Sequence, residues 1–527
     1  MKRLGVFAFF NKEGYVEDYV DYLLKEMTKN LDNLYIMVIG LLDDRGKKIL
    51  SKYSSNIAYR ENKGFTGGAW QDSIINQITF EELINYDEVV FFNDIFYGPI
   101  YPMEKVFVEM DKEKDLDFWG ITRHYETKDF TGTYENGIIP EHIQTYFYAV
   151  RNRMLKSDEF KRFWLEMPEI KTPKDDIAYQ ETRFTNYFSN YGYKWNTYVN
   201  METLKGEDLN NYCMNYEIPY TLISKYNMPF IRRKSLIQII ENSVSGPEIE
   251  AKRVLDYIEN ETNYNVDYIW DDLLRNNNIY DLYTKLHLNY IVPTDRKLDE
   301  NNNKVALISN IELNNKKYDF YLLNETKLSE IINKYDYICY INYDKISDNL
   351  LINNADKKLL VDNTIFNDNY IDNVLYLFKQ NKKLAYLGVP EFISNLSWQS
   401  LSKNWDRVVF DKVVNELKEL NINVNISYEK APITKSKAFW LKTEAIKNIN
   451  IDNCSLLHLE LPYILQSNGY YSGLIYSKEY ASVYLTALTE EYKRYTNTHP
   501  YAAVDSIPLS KLFKGIFIKI RRKIFKK

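Results

Sequence analysis

Runs of strand length that alternate with helical patterns restrict this chain more than any other feature. Gly5–Phe10, Leu34–Gly40, Asn56–Arg60 and Glu88–Phe92 read as strands. Between the first two, Tyr15–Lys29 places Val20, Leu23, Leu24 and Met27 at helical spacing, and a further helix is expected from about Ala69 to Ile78. Short apolar strands separated by amphipathic helices predict a mostly parallel sheet with helices on both faces. Ligands of such sheets bind outside the carboxyl ends of the strands. The glycine-rich and polar residues of this segment cluster at those ends.

A chain of 527 residues exceeds one ordinary domain. From Pro229 to Leu286 the pattern turns helical, with Arg232, Arg233 and Lys234 near its start. A polar stretch, Lys297–Asn303, follows, and a second strand-and-helix region runs from Lys304 to about Tyr484. That region repeats the first in outline. The strand Glu88–Phe92 ends in Asn93-Asp94, and Tyr337–Ile341 ends in Asn342-Tyr343-Asp344. Leu116–Ile121 is echoed by Leu384–Val389, and Tyr146-Phe147-Tyr148 by Ala438-Phe439-Trp440. Glu181 opens a helix closing at Gly192-Tyr193, and Glu460 one closing at Gly469-Tyr470. Divergent duplication accounts for four matches in the same order. The expected division is 1–228 for the first module, 229–300 for a helical connector and linker, 301–490 for the second module and 491–527 for a tail.

Cys213, Cys339 and Cys454 lie far apart without metal or disulfide spacing, which points to a reducing compartment. No run approaches the ~18 apolar residues of a spanning helix, and the apolar start, Leu4–Phe10, is read as a strand rather than a signal peptide. The tail Leu509–Lys527 carries eight basic residues and no acid, although the formal charge of the whole chain is −6. Phe513, Phe517, Ile520 and Ile524 recur at helical spacing, bordered by Arg521, Arg522 and Lys523. An apolar stripe edged by cations is the pattern of a helix lying on anionic lipid. Nucleic acid is not expected as a partner of a chain whose body is acidic. The protein is expected to be cytoplasmic and peripheral at the inner face of the plasma membrane.

Three segments carry candidate chemistry. In Asn62-Lys63-Gly64-Phe65-Thr66-Gly67-Gly68-Ala69, between a strand and a helix, Asn62, Gly64, Gly67 and Gly68 are candidates for binding a nucleotide phosphate, because glycine permits close backbone approach and a helix N-terminus favours an anion. A tight turn alone is the other reading. Asn93 and Asp94 end the most hydrophobic strand. Asp94 is a candidate ligand for a divalent cation, Mg2+ or Mn2+, held against a diphosphate; a turn cap is its alternative. Asp175, Asp176 and Glu181 stand near the start of a helix ending around Asn190, where carboxylates also serve as helix caps. The catalytic candidates are Glu181 as general base, Asp176 beside it, and His142 as a contact to phosphate or acceptor.

Asn93-Asp94-Ile95-Phe96-Tyr97-Gly98-Pro99, Trp119-Gly120 with Thr122, and His142-Ile143-Gln144-Thr145-Tyr146-Phe147 resemble signature segments of the rhamnan synthesis protein F family. So do Phe439-Trp440 with Thr443-Glu444-Ala445, and His458-Leu459-Glu460-Leu461-Pro462-Tyr463 with Gln466 and Gly469-Tyr470-Tyr471. The resemblance implies a GT-A-like catalytic fold and glycosyltransfer in bacterial cell-surface polysaccharide synthesis, typically of rhamnose from dTDP-rhamnose to a lipid-linked glycan. Inversion by direct displacement is expected, since one base suffices. Ile95 stands where the family usually has Ser, and the second region has no counterpart of the glycine-rich segment, so that module is expected to be degenerate. The rival readings are a hexosyltransferase using a UDP-sugar on a lipid- or protein-linked acceptor, and a non-catalytic scaffold of the polysaccharide machinery.

Overall fold

Val6, Phe7, Ala8 and Phe9 are all buried, so the strand β1 (Arg3–Phe10) is covered on both faces. Strands of that kind occupy the middle of a sheet sandwiched by helices. The computed structural model describes residues 1–199, 218–237, 247–299, 302–313, 315, 317–346, 348–391, 405–447, 449, 451–452 and 454–498. The tail Leu509–Lys527, with Phe513, Phe517, Arg521, Arg522 and Lys523, and Cys213 lie outside the described residues. Two compact units divide the chain: Met1–Leu273 with Thr284–His287, and Leu274–Tyr283 with the chain from Leu288 onward.

In the first unit β1 is followed by α1 (Asp18–Met27), β2 (Asn33–Ile39), β3 (Asn56–Arg60), α2 (Phe65–Asp72), β4 (Glu88–Asn93) and β5 (Phe96–Tyr97). Then come β6 (Phe118–Gly120), β7 (Phe147–Arg151), α3 (Thr182–Asn190), β8 (Trp195–Thr197) and β9 (Ile231–Arg232). The main sheet has the order β8-β6-β7-β4-β1-β2-β3. All neighbours are parallel except β7, which runs antiparallel to both β4 and β6. The expected mixed α/β fold is therefore present. Trp70 on α2 fastens that helix to the sheet, its ring 5.3 Å from Tyr148 and 5.9 Å from Phe91.

The second unit contains β10 (Asn289–Val292), β11 (Val305–Ser309), β12 (Asp319–Leu322), β13 (Tyr337–Ile341), β14 (Leu384–Gly388), β15 (Ala438–Lys442), α4 (Leu457–Ser467) and β16 (Tyr471–Ser477). Its sheet order is β10-β16-β14-β15-β13-β11-β12. Six strands match the first sheet in order and direction, with β15 antiparallel to its two neighbours as β7 is. Smaller features repeat as well. Lys2 and Lys304 each donate their backbone N–H to the carboxylate of Asp87 or Asp336, which precedes the matching strand, and Gly192 and Gly469 close the matching helices at φ of 81° and 82°. The two units thus share one architecture over six strands.

The structure revises two of the expected correspondences. Ala438 opposes Ile341 as Phe147 opposes Phe92, so Ala438 matches Phe147 and the echo of Tyr146-Phe147-Tyr148 shifts by one residue. The segment 229–300 is not a separate connector. β9 pairs with β5 in the first unit, whereas β10 joins the second sheet.

Candidate functional site

Gly64 takes a left-handed conformation, φ +73°, that turns the chain into α2, so the helix starts earlier than expected and encloses Gly67 and Gly68 in its first turns. Backbone conformation accounts for Gly64 and a contact within the protein for Gly67, whereas a Cβ on Gly68 would meet only ordinary contacts. A Cβ on Gly64 would stand 3.3 Å from Nη2 of Arg60, and one on Gly68 would stand 3.5 Å from it. A Cβ on Gly67 would collide with the Asp176 carboxylate. Gly67 N–H donates to Asp176 Oδ1 at 2.9 Å, so a carboxylate of this chain sits where a phosphate was expected. Burial pushes Asp176 up to about 7, against the pull of the Gly67 and Thr66 N–H groups. Asn62 is exposed.

Asp175 and Asp176 divide their work. Asp175 completes a capping box with Thr172 at the helix Pro173–Asp176, as the capping reading had it. A π-turn over Ile177–Glu181 then carries the chain into α3. Glu181 Oε1 lies 3.9 Å from His142 Nε2, and Thr145 Oγ1 donates to Gln180 Oε1 at 2.9 Å and to Glu181 Oε2 at 3.3 Å. His142 is buried, and its ring stacks on His124 with centroids 5.4 Å apart. Its Nδ1 faces the Pro140 carbonyl at 2.8 Å, and that bond assigns the hydrogen to Nδ1. Burial lowers the His142 pKa, with the Glu181 charge opposing the shift. The neutral ring thus turns an acceptor nitrogen toward the Glu181 carboxylate, and a hydroxyl entering between them meets two acceptors.

The residues on either side of one peptide bond connect this cluster to the end of β4. Thr145 touches Glu181, while the carbonyl of Tyr146 accepts the N–H of Asn93 at 3.3 Å. The Tyr146 hydroxyl in turn meets Thr122 Oγ1 at 2.8 Å, and Thr122 donates to Gln144 at 2.9 Å. Asn93 itself makes an Asx turn, its Oδ1 accepting Ile95 N–H at 3.3 Å.

Asp94 is buried, and its carboxylate accepts its own N–H and that of Phe10. Burial pushes it up to about 7; Arg233 draws it down and Asp272 raises it. Arg233, noted in the sequence only as the start of a helical stretch, donates its backbone N–H to Ile95 O at 3.0 Å. Its Nη2 and Nε bond Asp272 at 2.8 and 3.2 Å, and its guanidinium lies 5.1 Å from the Tyr19 ring and 6.0 Å from the Tyr97 ring. Tyr19 OH donates to the Asp94 carbonyl at 3.0 Å, and Tyr97 OH donates to Asp272. Among the described residues no group of three His, Cys, Asp or Glu side chains stands together as metal ligands. Asp94 supplies one carboxylate, and the cation it faces is Arg233.

The second unit keeps the frame and changes the residues. Asn342 N–H bonds the Lys437 carbonyl as Asn93 bonds that of Tyr146, so Tyr343 rather than Asp344 stands at the place of Asp94. His458 lies eleven residues before Gly469, as Glu181 lies eleven before Gly192, so His458 rather than Glu460 takes the place of Glu181. Burial and Lys437 push His458 down to about 4, and Lys437 also pairs with Asp344 at 2.5 Å.

A family model described as rhamnan synthesis protein F matches residues 34–322, more than half of the chain. A relative from Sinorhizobium fredii, the uncharacterised protein y4gN, is 24% identical over 183 residues, which are 32% of this chain and 44% of the relative. The chain therefore spans less than half the length of that curated relative. Among solved structures, 4-diphosphocytidyl-2C-methyl-D-erythritol synthase from Anaerococcus prevotii is 12% identical at a TM-score of 0.23, over 37% of this chain and 88% of its own. Glucosyl-3-phosphoglycerate synthase from Mycobacterium tuberculosis, with Mg2+ and uridine diphosphate, is 12% identical at a TM-score of 0.18, over 29% of this chain and 57% of its own. Core-mannan synthase A from Aspergillus fumigatus, in a Mn/GDP form, is 9% identical at a TM-score of 0.19, over 31% and 63%.

Proposed function

The chain belongs to the rhamnan synthesis protein F family, and from that premise we propose that it is a glycosyltransferase of polysaccharide synthesis whose first unit, read as GT-A-like, carries the reaction. The donor is read as dTDP-rhamnose and the acceptor as a lipid-linked glycan. One observation carries the reading: Thr145 and Tyr146, adjacent in sequence, join the Glu181 cluster to Asn93 at the end of β4. In this reading the Glu181 carboxylate acts beside the strand end that would hold the donor.

Glu181 is the proton acceptor in this account. Its side chain is 28% exposed and within reach of an incoming hydroxyl, while His142 beside it is 4% exposed. The acceptor oxygen attacks the anomeric carbon as its proton passes to Glu181. The bond from that carbon to the diphosphate oxygen breaks, and its electron pair leaves with the nucleoside diphosphate. A single displacement of this kind inverts the anomeric centre. Asp176 ties the start of α2 to the Glu181 segment, and Asp94 orders the end of β4. No step is routed through a divalent cation, because the Asp94 carboxylate is buried, accepts the Phe10 N–H and faces Arg233. The second unit, with Tyr343 and His458 at the key positions, is read as serving acceptor binding or assembly.

Donor binding tests the reading. A ligand that binds only the folded protein stabilises it by about 2.7 kcal/mol at a hundredfold excess over Kd. One nucleotide sugar of a panel, dTDP-rhamnose first, is expected to raise the melting temperature. A panel without any stabilising member contradicts the assignment.

Among the described residues no helix is long and apolar enough to cross a membrane. We place the protein at the inner face of the plasma membrane through Leu509–Lys527, where each basic residue near an anionic surface contributes about 1 kcal/mol. Deleting Leu509–Lys527 is expected to abolish co-sedimentation with anionic vesicles at low salt. Unchanged co-sedimentation would refute this role.

A further inference from the structure

The cluster around Arg233 has no assigned purpose, and its construction is costly. A guanidinium, two carboxylates and two phenols are gathered at the end of a buried strand, with Asp272 only 3% exposed and Asp94 likewise closed off. Mutual pairing satisfies part of this charge. Asp272 grips Arg233 through Nε and Nη2, and Tyr97 donates to Asp272. Arg233 nevertheless keeps 26% of its side chain exposed, against 3% for Asp272. The residue is also fixed in place. β9 pairs with β5 with Arg232 opposite Phe96, and Arg233 N–H bonds Ile95 O, which puts Arg233 beside the residue that follows Asp94.

A departing nucleoside diphosphate needs positive charge at that strand end. A divalent cation that supplies it is held by one or two carboxylates together with the phosphates themselves, and the carboxylate at this strand end, Asp94, is buried, accepts the Phe10 N–H and faces Arg233. An arginine supplies it differently, as a permanently charged planar fork whose N–H groups match phosphate oxygens. Asp94 facing a diphosphate as a bare carboxylate would repel it; Arg233, shared with Asp272, and the burial that pushes Asp94 up to about 7 both reduce that charge, and the carboxylate still accepts the Phe10 N–H.

We infer that Arg233, held by Asp272, Tyr19 and Tyr97, binds the diphosphate of the donor in place of a divalent cation, so that the first unit takes nucleoside diphosphates without metal. This rests on the glycosyltransferase reading above. Arg233 is named here as a binding residue; Asp272, Tyr19 and Tyr97 position it.

Calorimetric titration of the full chain with dTDP and with UDP tests it, in EDTA and again in excess Mg2+ or Mn2+. The wild type is expected to bind at least one of the two with affinities that agree within about threefold across those conditions. Arg233→Gln should weaken binding about ten- to hundredfold, without rescue by either metal, while Arg233→Lys retains part of the affinity because charge survives and the fork does not. Cooperative melting establishes that each variant is folded. Should Arg233→Gln fail to fold, Arg233→Lys and the wild type in EDTA still decide. Wild-type binding lost in EDTA and restored by Mg2+ or Mn2+ overturns the inference while leaving the glycosyltransferase reading intact. Unchanged affinity in folded Arg233→Gln overturns it as well. Absence of binding to both nucleotides under every condition overturns the inference together with the reading beneath it.

Discussion

Replacing Glu181 by glutamine is expected to lower kcat by about 10²–10⁴-fold while donor binding persists. Glutamine keeps the shape and can still accept from Thr145, so the helix and its neighbours should stand. What is lost is the proton acceptor. His142 is badly placed to replace it, because its Nδ1 is committed to the Pro140 carbonyl and burial lowers its pKa. Steady-state kinetics with a fixed acceptor checks this. A loss below about threefold, less than about 1 kcal/mol in the barrier, would exclude Glu181 as the base.

The second large effect lies at the start of β4, away from the strand end at Asn93. Glu88 opens β4 and is fully buried, with Oε1 2.8 Å from Arg3 Nε and Oε2 2.8 Å from Trp119 Nε1 and 3.4 Å from Arg151 Nε. Removing one partner of a buried ion pair leaves charge without compensation and costs about 3–5 kcal/mol. Glu88→Ala should therefore destabilise the first unit by that amount, since Arg3 and Arg151 would lose their shared acceptor and the Trp119 indole the carboxylate it donates to. Glu88→Gln, which keeps an acceptor for Trp119, should cost less. Hydrogen exchange of the β1 and β4 amides reports this locally, without assuming that the whole chain unfolds in one step. A change below about 1 kcal/mol would mean that Asp111 and the carbonyls around Arg151 already satisfy both arginines. Because the site lies at the other end of β4, donor binding by the folded variant should be preserved.

Local signals made much of this molecule legible. The runs at Gly5–Phe10 and Glu88–Phe92 announced central strands because buried parallel strands are apolar on both faces. The repeated strand endings and helix closures pointed to two similar modules, and six strands in each sheet share order and direction. Sequence spacing could not give the register. It aligned Asp344 with Asp94 and Glu460 with Glu181, whereas the ladders and helix ends put Tyr343 and His458 there. The glycine-rich segment was recognised as needing a bare backbone, but the group that fills the space at Gly67 is Asp176, more than a hundred residues away. Distance along the chain likewise hid the Arg233 cluster. Tyr97 and Asp272 are separated by 175 positions, and nothing in the composition of an amphipathic helix marks Asp272 as the partner of a strand-end tyrosine.

Direct measurement of donor turnover tests the central claim that the first unit is a glycosyltransferase site. The full-length protein is incubated with membranes bearing lipid-linked glycan and with each of a panel of nucleotide sugars, and release of nucleoside diphosphate is followed together with the anomeric configuration of the product. Our account predicts that one donor, dTDP-rhamnose before the UDP-hexoses, is consumed, that the product has the anomeric configuration opposite to that of the donor, and that Glu181→Gln abolishes most of the signal. Failure of every donor to be consumed, or turnover that is as fast in Glu181→Gln as in the wild type, would contradict it.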